Sequence, residues 1–272
     1  MSIIEAIVIA IVEGLTEFLP ISSTGHMIIA ERLLGLEGDF VKLFTVAIQL
    51  GAILAVVVLY WKKFFDFSRW QFYVKLFVGV LPALVLGYLF SDKIDAMLES
   101  PTTVAISMLL GGVVLVFIDK FFSNPTIESD DQISYKNSFI IGCWQVLAMV
   151  PGVSRSAASI IGGMQQKLTR NLAAEFSFFL AVPTMFAATA YSLILKKYTG
   201  DGIVKKGYQI ITESTANTTA FIIGNVVAFV VAILAIRFFI TYLKVYGFRA
   251  FGIYRIIAGT ILLILIFTGY LK

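Results

Sequence analysis

The sequence contains few charged residues, one cysteine and one histidine, and each of these shortages excludes certain folds, bonds or chemistry. Only 14% of its 272 residues are charged and 59% are hydrophobic. A soluble domain carries about 25% charged and about 45 to 50% apolar residues, so a soluble globular fold is excluded. Because Cys143 is the only cysteine, no intrachain disulfide forms. His26 is the only histidine, so any chemistry that needs an imidazole has to use this residue.

The slight excess of positive charge does not indicate a nucleic-acid partner. The formal net charge is +4 and the pI is about 9.0, but the lysines and arginines lie mostly in loops, where they orient membrane helices. The longest polar loops, 122–136 and 197–217, carry no recognisable docking motif. We therefore expect no nucleic acid and no soluble protein partner.

Long apolar stretches recur along the whole chain, so neither a cleaved signal peptide nor a single anchor explains them. Crossing the hydrocarbon core takes roughly 20 apolar residues, and six stretches reach that length. They cover residues 43–61, 71–91, 102–121, 172–196, 218–243 and 249–271. The sequence predicts an all-α integral membrane protein in which residues 1–272 form one membrane domain with six transmembrane helices and lipid as the surrounding solvent.

Two further apolar stretches, 2–34 and 137–168, are interrupted near their middles by a proline and small polar residues. Their halves are too short to cross the bilayer separately. Each stretch is predicted to be a re-entrant helical hairpin. Four short buried helices, or tilted spans, are the alternative that hydropathy leaves open.

The two interrupted stretches also resemble each other. Offsets of 131 and 132 residues pair Pro20 with Pro151, Ser23 with Ser154, Phe44 with Phe176 and Thr45 with Ser177. Residues 1–121 and 137–272 would then each contain one hairpin and three crossings. Because three is odd, the second unit enters the membrane in the opposite orientation, which predicts an inverted-topology repeat. Chance similarity between apolar segments is the alternative.

The loop charges predict an orientation. The loop 62–70 carries three basic residues and one acidic residue, whereas the loop 91–100 carries one basic and three acidic residues. The first loop is therefore expected to be cytoplasmic. Four lysines in and beside the loop 197–217, which this orientation places outside, argue the other way.

Ionisable side chains are costly inside a membrane, and the first interrupted stretch contains several of them. Glu13 and Glu17 are four residues apart, so they lie on one helix face. Two carboxylates this close repel each other unless a cation or a proton lies between them, and Mg²⁺ or Ca²⁺ suits oxygen ligands and a phosphate substrate. The alternative is that one glutamate is protonated or pairs with Arg155.

Two other features of the breaks indicate phosphate chemistry. His26 lies three residues after Ser23, which is a combination typical of an activated nucleophile or an acid–base group, although a lone histidine is more often structural. Arg155 supplies a planar fork of donors for phosphate oxygens. Helix N-termini after Ser23 and Ser154 would add positive dipole ends. An arginine that reaches towards the membrane interface is the alternative for Arg155.

Several other polar or small residues have expected supporting roles. Glu175 and Ser177 are predicted to support the site, and Arg255 is expected to be structural. The pair Gly111 and Gly112 predicts close helix packing.

On these two segments the chain resembles the undecaprenyl-diphosphate phosphatase family of the bacitracin-resistance type, which recycles the bacterial cell-wall carrier lipid. The segment 13–26, EGLTEFLPISSTGH, matches the glutamate-rich motif of that family, and the segment 151–156, PGVSRS, matches its second motif. The resemblance covers the full length of the chain.

The resemblance implies an enzyme that hydrolyses undecaprenyl diphosphate to undecaprenyl phosphate and inorganic phosphate. It also implies a multi-pass protein of the bacterial plasma membrane, an active site open to the outer side, a divalent cation, a polyprenyl diphosphate substrate and compatibility with a homodimer. By motif position the residues are catalytic Glu17, Ser23, His26 and Arg155, substrate-binding Ser22, Thr24, Gly25, Ser154 and Ser156, and metal-binding Glu13 and Glu17.

Ser23 is expected to attack the terminal phosphorus with His26 as its base, while attack by His26 itself or by water is left open. The rival function is that of a secondary transporter or lipid flippase, because transporters also use inverted repeats and broken helices. A transporter would release no phosphate.

Overall fold

The computed structural model describes residues 1–90, 97, 100–200 and 203–270, and it is mostly helical. Most of the loop 91–100 lies outside these residues. The acidic residues of this loop, which were compared with the basic residues of the loop 62–70, are therefore not described. The helices are α1 Ile3–Thr16, α2 Ser23–Leu34, α3 Asp39–Ala47, α4 Gln49–Leu59, α5 Trp61–Phe64, α6 Trp70–Leu89, α7 Pro101–Phe121, α8 Tyr135–Val146, α9 Arg155–Gln165, α10 Arg170–Ala190, α11 Gly207–Thr212, α12 Thr215–Tyr246 and α13 Arg249–Phe267.

Within the described part of the chain, six helical segments are long and apolar enough to cross a membrane, which confirms the predicted number. They are Asp39–Leu59, Trp70–Leu89, Pro101–Phe121, Arg170–Leu195, Thr215–Tyr246 and Arg249–Phe267. The first joins α3 to α4, and the fourth extends α10 through a π-helical turn, Tyr191–Leu195. Most ends differ from the prediction by a few residues: five spans begin before the predicted start and four end before the predicted end, because local capping and not the length of the apolar run decides where a helix begins and ends. The chain is a multi-pass membrane protein.

Each interrupted stretch forms two short helices joined by a break, rather than one tilted span. Helices α1 and α2 contact each other around the first break, and α8 and α9 do so around the second. A short 3₁₀ turn, Leu147–Met149, follows α8. A two-stranded antiparallel hairpin, β1 Lys197–Gly200 and β2 Ile203–Lys206, connects α10 to α11, with Lys197 opposite Lys206.

The crossing of α7 and α13 depends on glycine, as the pair Gly111 and Gly112 predicted. A Cβ atom on Gly112 would lie 2.8 Å from the carbonyl oxygen of Gly252, and a Cβ on Gly252 would lie 2.7 Å from that of Gly112. The two backbones are therefore in direct contact, which only small residues permit in a membrane helix pair. This contact fixes α13 beside the two breaks.

An ion-pair cluster joins the loops at one end of the helices. Asp130 accepts from Lys63 at 3.4 Å and from Arg69 at 3.0 Å, and Lys75 donates to the backbone carbonyl of Asp130 at 2.9 Å. Burial alone would raise the pKa of Asp130, but the charges of Lys63 and Arg69 outweigh it and hold that pKa below its ordinary value. Glu175 pairs with Lys63 here at 3.6 Å and so lies away from the breaks, contrary to its predicted supporting role.

Candidate active site

Both breaks contain a serine in a strained backbone conformation. Ser22 has φ 72° and Ser154 has φ 73°, a region that costs a non-glycine residue of the order of 1–3 kcal/mol and that clusters at functional sites. Each serine occupies the N-cap position of the following helix, Ser22 before α2 and Ser154 before α9, and of the two side chains only that of Ser154 accepts a capping hydrogen bond. The two breaks therefore share one backbone geometry at equivalent positions. That geometry pairs Ser154 with Ser22, whereas the sequence offset of 131 paired it with Ser23.

Glu17 is the junction of the site. Its Oε2 accepts a hydrogen bond from Ser23 Oγ at 2.6 Å, and its Oε1 accepts from Arg155 Nη2 at 3.2 Å. Glu17 ends α1, Ser23 begins α2 and Arg155 begins α9, so three helix ends meet at one carboxylate. The pairing of a glutamate with Arg155, which the sequence left open, is present.

Glu13 lies one helical turn from Glu17 and is only 1% exposed. Its carboxyl group interacts with that of Glu17, and among the described residues its Oε1 atom has no hydrogen-bond partner. A buried carboxylate oxygen without a donor is costly unless it serves a ligand. The pair is thus brought together as predicted, with coordinating capacity left over.

Arg155 is held from two sides and keeps donors free. Its Nη1 atom donates to the carbonyl of Ser177 at 3.0 Å, which confirms that Ser177 supports the site. Its guanidinium lies 5.8 Å from the ring centroid of Phe18. Arginine has five N–H donors, and in the described part of the chain the buried Nε has no partner. Donors therefore remain for an anion.

His26 lies on α2, but both of its ring nitrogens are engaged away from Ser23. Nδ1 bonds to the carbonyl oxygen of Ser22 at 2.7 Å, and Nε2 bonds to the hydroxyl of Tyr254 at 2.6 Å. Ser23 is bonded to Glu17 instead. The expected role of His26 as the base for Ser23 does not match this arrangement, in which Glu17 is placed to take that proton.

The remaining predicted residues mostly hold the breaks in shape. Ser156 Oγ donates to the carbonyl of Phe18 at 2.8 Å and so ties α9 to the first break. Ser154 Oγ accepts from the backbone N–H of Ala157 at 3.2 Å, which caps α9. Ser22 is buried and, within the described chain, its Oγ has no partner. Thr24 and Gly25 form the first turn of α2, where Gly25 packs against Met108 of α7.

The family of the chain follows from comparison with known proteins. Residues 6–261 match the family model described as bacitracin resistance protein BacA. This chain belongs to the BacA family. An undecaprenyl-diphosphatase of Flavobacterium psychrophilum is 56% identical over 271 residues, which cover 98% of this chain and 97% of that protein. One from Bdellovibrio bacteriovorus is 48% identical over 273 residues, which cover 99% of this chain and 98% of that protein. The predicted family is confirmed.

Arg255 lies outside the segments 13–26 and 151–156, and the sequence indicated it only as a structural residue. Arg255 is fully buried in α13. Its guanidinium donates to carbonyl oxygens of both breaks, at 3.3 Å to Pro20, 2.9 Å to Val153 and 2.8 Å to Gly152. It also bonds to two carbonyls of α7. One side chain therefore fixes the two breaks relative to each other, and an arginine inside an apolar span was the only sequence signal for it.

Tyr254, the neighbour of Arg255, is a second site residue that sequence reasoning missed. Its hydroxyl contacts His26 across 228 residues of chain, and a tyrosine in a membrane helix carries no distinctive signal by itself. Among the described residues, no cluster of three or more His, Cys, Asp or Glu side chains offers a ready-made metal site. Any cation here would rest on the pair Glu13 and Glu17 with ligands from the substrate.

Proposed function

We propose that this chain is an undecaprenyl-diphosphate phosphatase, which hydrolyses its substrate to undecaprenyl phosphate and inorganic phosphate. The observation that carries the proposal is the hydrogen-bonded series Arg155–Glu17–Ser23 at the meeting of three helix ends. A hydroxyl hydrogen-bonded to a carboxylate can act as a nucleophile with its base, and a guanidinium with free donors beside them can bind phosphate, so together these groups suit phosphoryl transfer. The names of relatives that match nearly the whole chain support the same activity.

The diphosphate would bind between the two helix N-termini. The first-turn N–H groups of α2 receive no side-chain cap from Ser22, so they are free for an anion, which the helix dipole also favours. The free donors of Arg155 would bind phosphate oxygens from the α9 side. The polyprenyl chain would remain among the apolar helices. Charge that develops on the transferred phosphoryl group is then stabilised by groups already in place.

Phosphoryl transfer would begin at Ser23. As Oγ attacks the terminal phosphorus, its proton passes to Glu17 Oε2, which already accepts that hydrogen bond at 2.6 Å. The bond from phosphorus to the bridging oxygen breaks, and undecaprenyl phosphate leaves with the electron pair. Water then attacks the phosphorus of the phosphoseryl group and gives a proton to His26, while the bond from phosphorus to Oγ breaks and Glu17 returns its proton to Oγ of Ser23. His26 afterwards releases its proton to solvent. Inorganic phosphate and the free serine are the result.

The pair Glu13 and Glu17 fits a hard divalent cation, Mg²⁺ or Ca²⁺. The buried and unpartnered Oε1 atom of Glu13 is the supporting observation, since among the described residues no donor satisfies it. Mg²⁺ is commonly held by one or two carboxylates together with substrate phosphates. When bound, the cation supplies positive charge that neutralises phosphate oxygens and the two carboxylates.

We further propose that the two interrupted stretches are re-entrant hairpins of an inverted repeat. Ser22 and Ser154 have matching backbone geometry 132 residues apart, the same separation as Phe44 and Phe176. Helix α1 packs along α12 and α8 packs along α6, which are corresponding pairs in the two halves. The start of α1 packs near the beginning of α3, whereas α8 begins beside the ion-pair cluster of Asp130.

The proposed location is the bacterial plasma membrane, with the site open to the outer side. The end that carries Lys63 and Arg69 is basic and would face the cytoplasm by the positive-inside rule. The first hairpin would enter from the opposite end, where Tyr198 of β1 packs in one cluster with Leu43 of α3. Lysines of that β-hairpin oppose this orientation, so it needs a direct test.

The deciding experiment measures phosphate release from farnesyl or undecaprenyl diphosphate by detergent-purified protein with Mg²⁺, with Ca²⁺ and with chelator. We expect metal-dependent release. Arg155→Ala should lower kcat by about 10²- to 10³-fold, the usual cost of losing one group that stabilises developing charge, and Ser23→Ala should abolish phosphoenzyme formation. Lys197→Ala, on the β-hairpin, is the matched cationic control and should retain full activity.

The opposite results would reject the assignment. Full activity in Arg155→Ala would remove that residue from the site, and an acid-labile phosphoenzyme that persists in Ser23→Ala would move the nucleophile to His26. Folded protein that releases no phosphate under any condition would favour a transporter instead.

A further inference from the structure

The contacts of His26 point to a partner outside the two motif segments. We infer that Tyr254 positions the His26 ring and relays a proton to it: during hydrolysis of the phosphoseryl group the attacking water gives a proton to the hydroxyl oxygen of Tyr254, while that hydroxyl gives its own proton to Nε2 of His26. This inference rests on the proposed function and deepens it, because it assigns a role to a residue of α13.

Hydrogen-bond chemistry fixes the tautomer of His26. The carbonyl oxygen of Ser22, 2.7 Å from Nδ1, is able only to accept, so Nδ1 carries a hydrogen. In the neutral ring Nε2 is then an acceptor, and the hydroxyl of Tyr254, 2.6 Å away, donates to it. When Nε2 gains a proton it becomes a donor, and the hydroxyl rotates to accept. Tyr254 therefore satisfies His26 in both charge states, as a base partner must.

Ring stacking adds a second constraint on the same pair. The rings of His26 and Tyr254 are parallel within 3°, and their centroids are 5.5 Å apart. Stacking sets the plane of the imidazole, and the hydrogen bond sets its rotation within that plane. A histidine held only by Ser22 would keep freedom to turn about one bond, and small misplacements of a catalytic group are expensive.

The position of Tyr254 is itself fixed by its neighbour. Arg255 is fully buried and bonds to the carbonyls of Pro20 and Gly152. The register of α13 against both breaks is therefore set at the residue next to Tyr254. The residue Tyr254 is 45% exposed, so removing its hydroxyl leaves the packing of the helix in place.

The test uses Tyr254→Phe in the full-length protein, purified in detergent without a histidine tag and labelled with ¹⁵N-histidine. Because the chain contains one histidine, both imidazole ¹⁵N signals belong to His26 and need no residue assignment. We expect the Nε2 signal to shift, kcat for phosphate release from farnesyl diphosphate to fall about ten- to a hundredfold, and KM to stay the same. Tyr246→Phe, an exposed tyrosine at the end of α12, is the control and should change none of these.

Each other outcome counts against the inference in a different way. An unchanged Nε2 signal would refute the contact, and a shifted signal with unchanged kcat would refute the role of Tyr254 in positioning His26 and relaying the proton. An equal loss in Tyr246→Phe would show a general effect of removing a tyrosine hydroxyl. If the wild type released no phosphate, the proposed function would fail and the catalytic role of Tyr254 with it, while the NMR signal would still report the contact.

Discussion

At the scale of single residues, the site brings together buried charged side chains whose presence is not explained by a contribution to stability. Glu17 is 8% exposed and bonds to Arg155, and a buried ion pair costs about as much in desolvation as it gains. Glu13, beside it, is a second buried carboxylate with an unpartnered oxygen. Such an arrangement is expected where a ligand completes it, which makes Glu13 the residue that best separates metal binding from folding.

Glu13→Gln should weaken cation binding without weakening the fold. The amide is nearly isosteric, and it removes the repulsion between two adjacent carboxylates, so the melting temperature in detergent should stay equal or rise. We expect the Mg²⁺ concentration for half-maximal phosphate release to increase at least about tenfold, as when a group that supports a metal site is lost. Binding of Mn²⁺, followed by electron paramagnetic resonance, should weaken in parallel.

Glu37→Gln is the control for this substitution. Glu37 pairs with Arg32 at 3.5 Å, with its side chain 82% exposed, and such surface pairs contribute little. Unchanged Mn²⁺ binding in Glu13→Gln, or a large fall in its melting temperature, would place Glu13 in the fold rather than in a metal site.

At the scale of elements, helix ends and helix crossings determine where the chemistry lies. Helices α1, α2 and α9 bring their ends to Glu17, and α13 reaches both breaks through Arg255. The position of α13 in turn depends on its close approach to α7 at Gly112 and Gly252. The crossing therefore supports the site from a distance. A substitution there should lower the stability of the protein more than it lowers catalytic activity.

Gly112→Ala is expected to destabilise the protein by about 1–3 kcal/mol, the usual cost of overpacking. Its Cβ would meet the carbonyl oxygen of Gly252 at 2.8 Å, and backbone of a packed helix gives way less easily than a side chain. The measurement is the midpoint of unfolding in detergent. Gly87→Ala on α6, where the nearest atom is a Met149 methyl group at 3.4 Å, should cost far less. Equal midpoints for the two variants would contradict this account of the crossing.

At the scale of the whole molecule, the sequence predicted the architecture better than the contacts. The six spans follow from hydropathy, because an apolar run long enough to cross the bilayer has one common explanation. The two breaks were predicted from Pro20, Pro151 and the small polar residues beside them. The alignment of the two breaks with each other was wrong by one residue, because Ser22 and Ser154 share a backbone geometry that residue types alone do not specify.

The partners of side chains at the site were the part that the sequence did not predict. Proximity in sequence indicated His26 as the base for Ser23, but the break turns Ser23 to Glu17 and leaves His26 with Tyr254. Arg255 reaches Pro20 and Gly152 from α13, and only helix packing determines such a contact. Hydropathy and motif spacing describe each segment by itself, whereas these bonds join segments far apart in the chain.

The orientation of the whole molecule decides which side of the membrane supplies the substrate. In a Cys143→Ser background, which leaves no other cysteine, Ser68→Cys and Ala216→Cys place exposed thiols near opposite ends of the transmembrane helices. If the end with Lys63 and Arg69 is cytoplasmic, a membrane-impermeant maleimide added to intact cells should label Ala216→Cys alone, and permeabilised cells should label both. Labelling of Ser68→Cys alone would reverse the orientation and open the site inwards, and labelling of both in intact cells would contradict their placement on opposite faces.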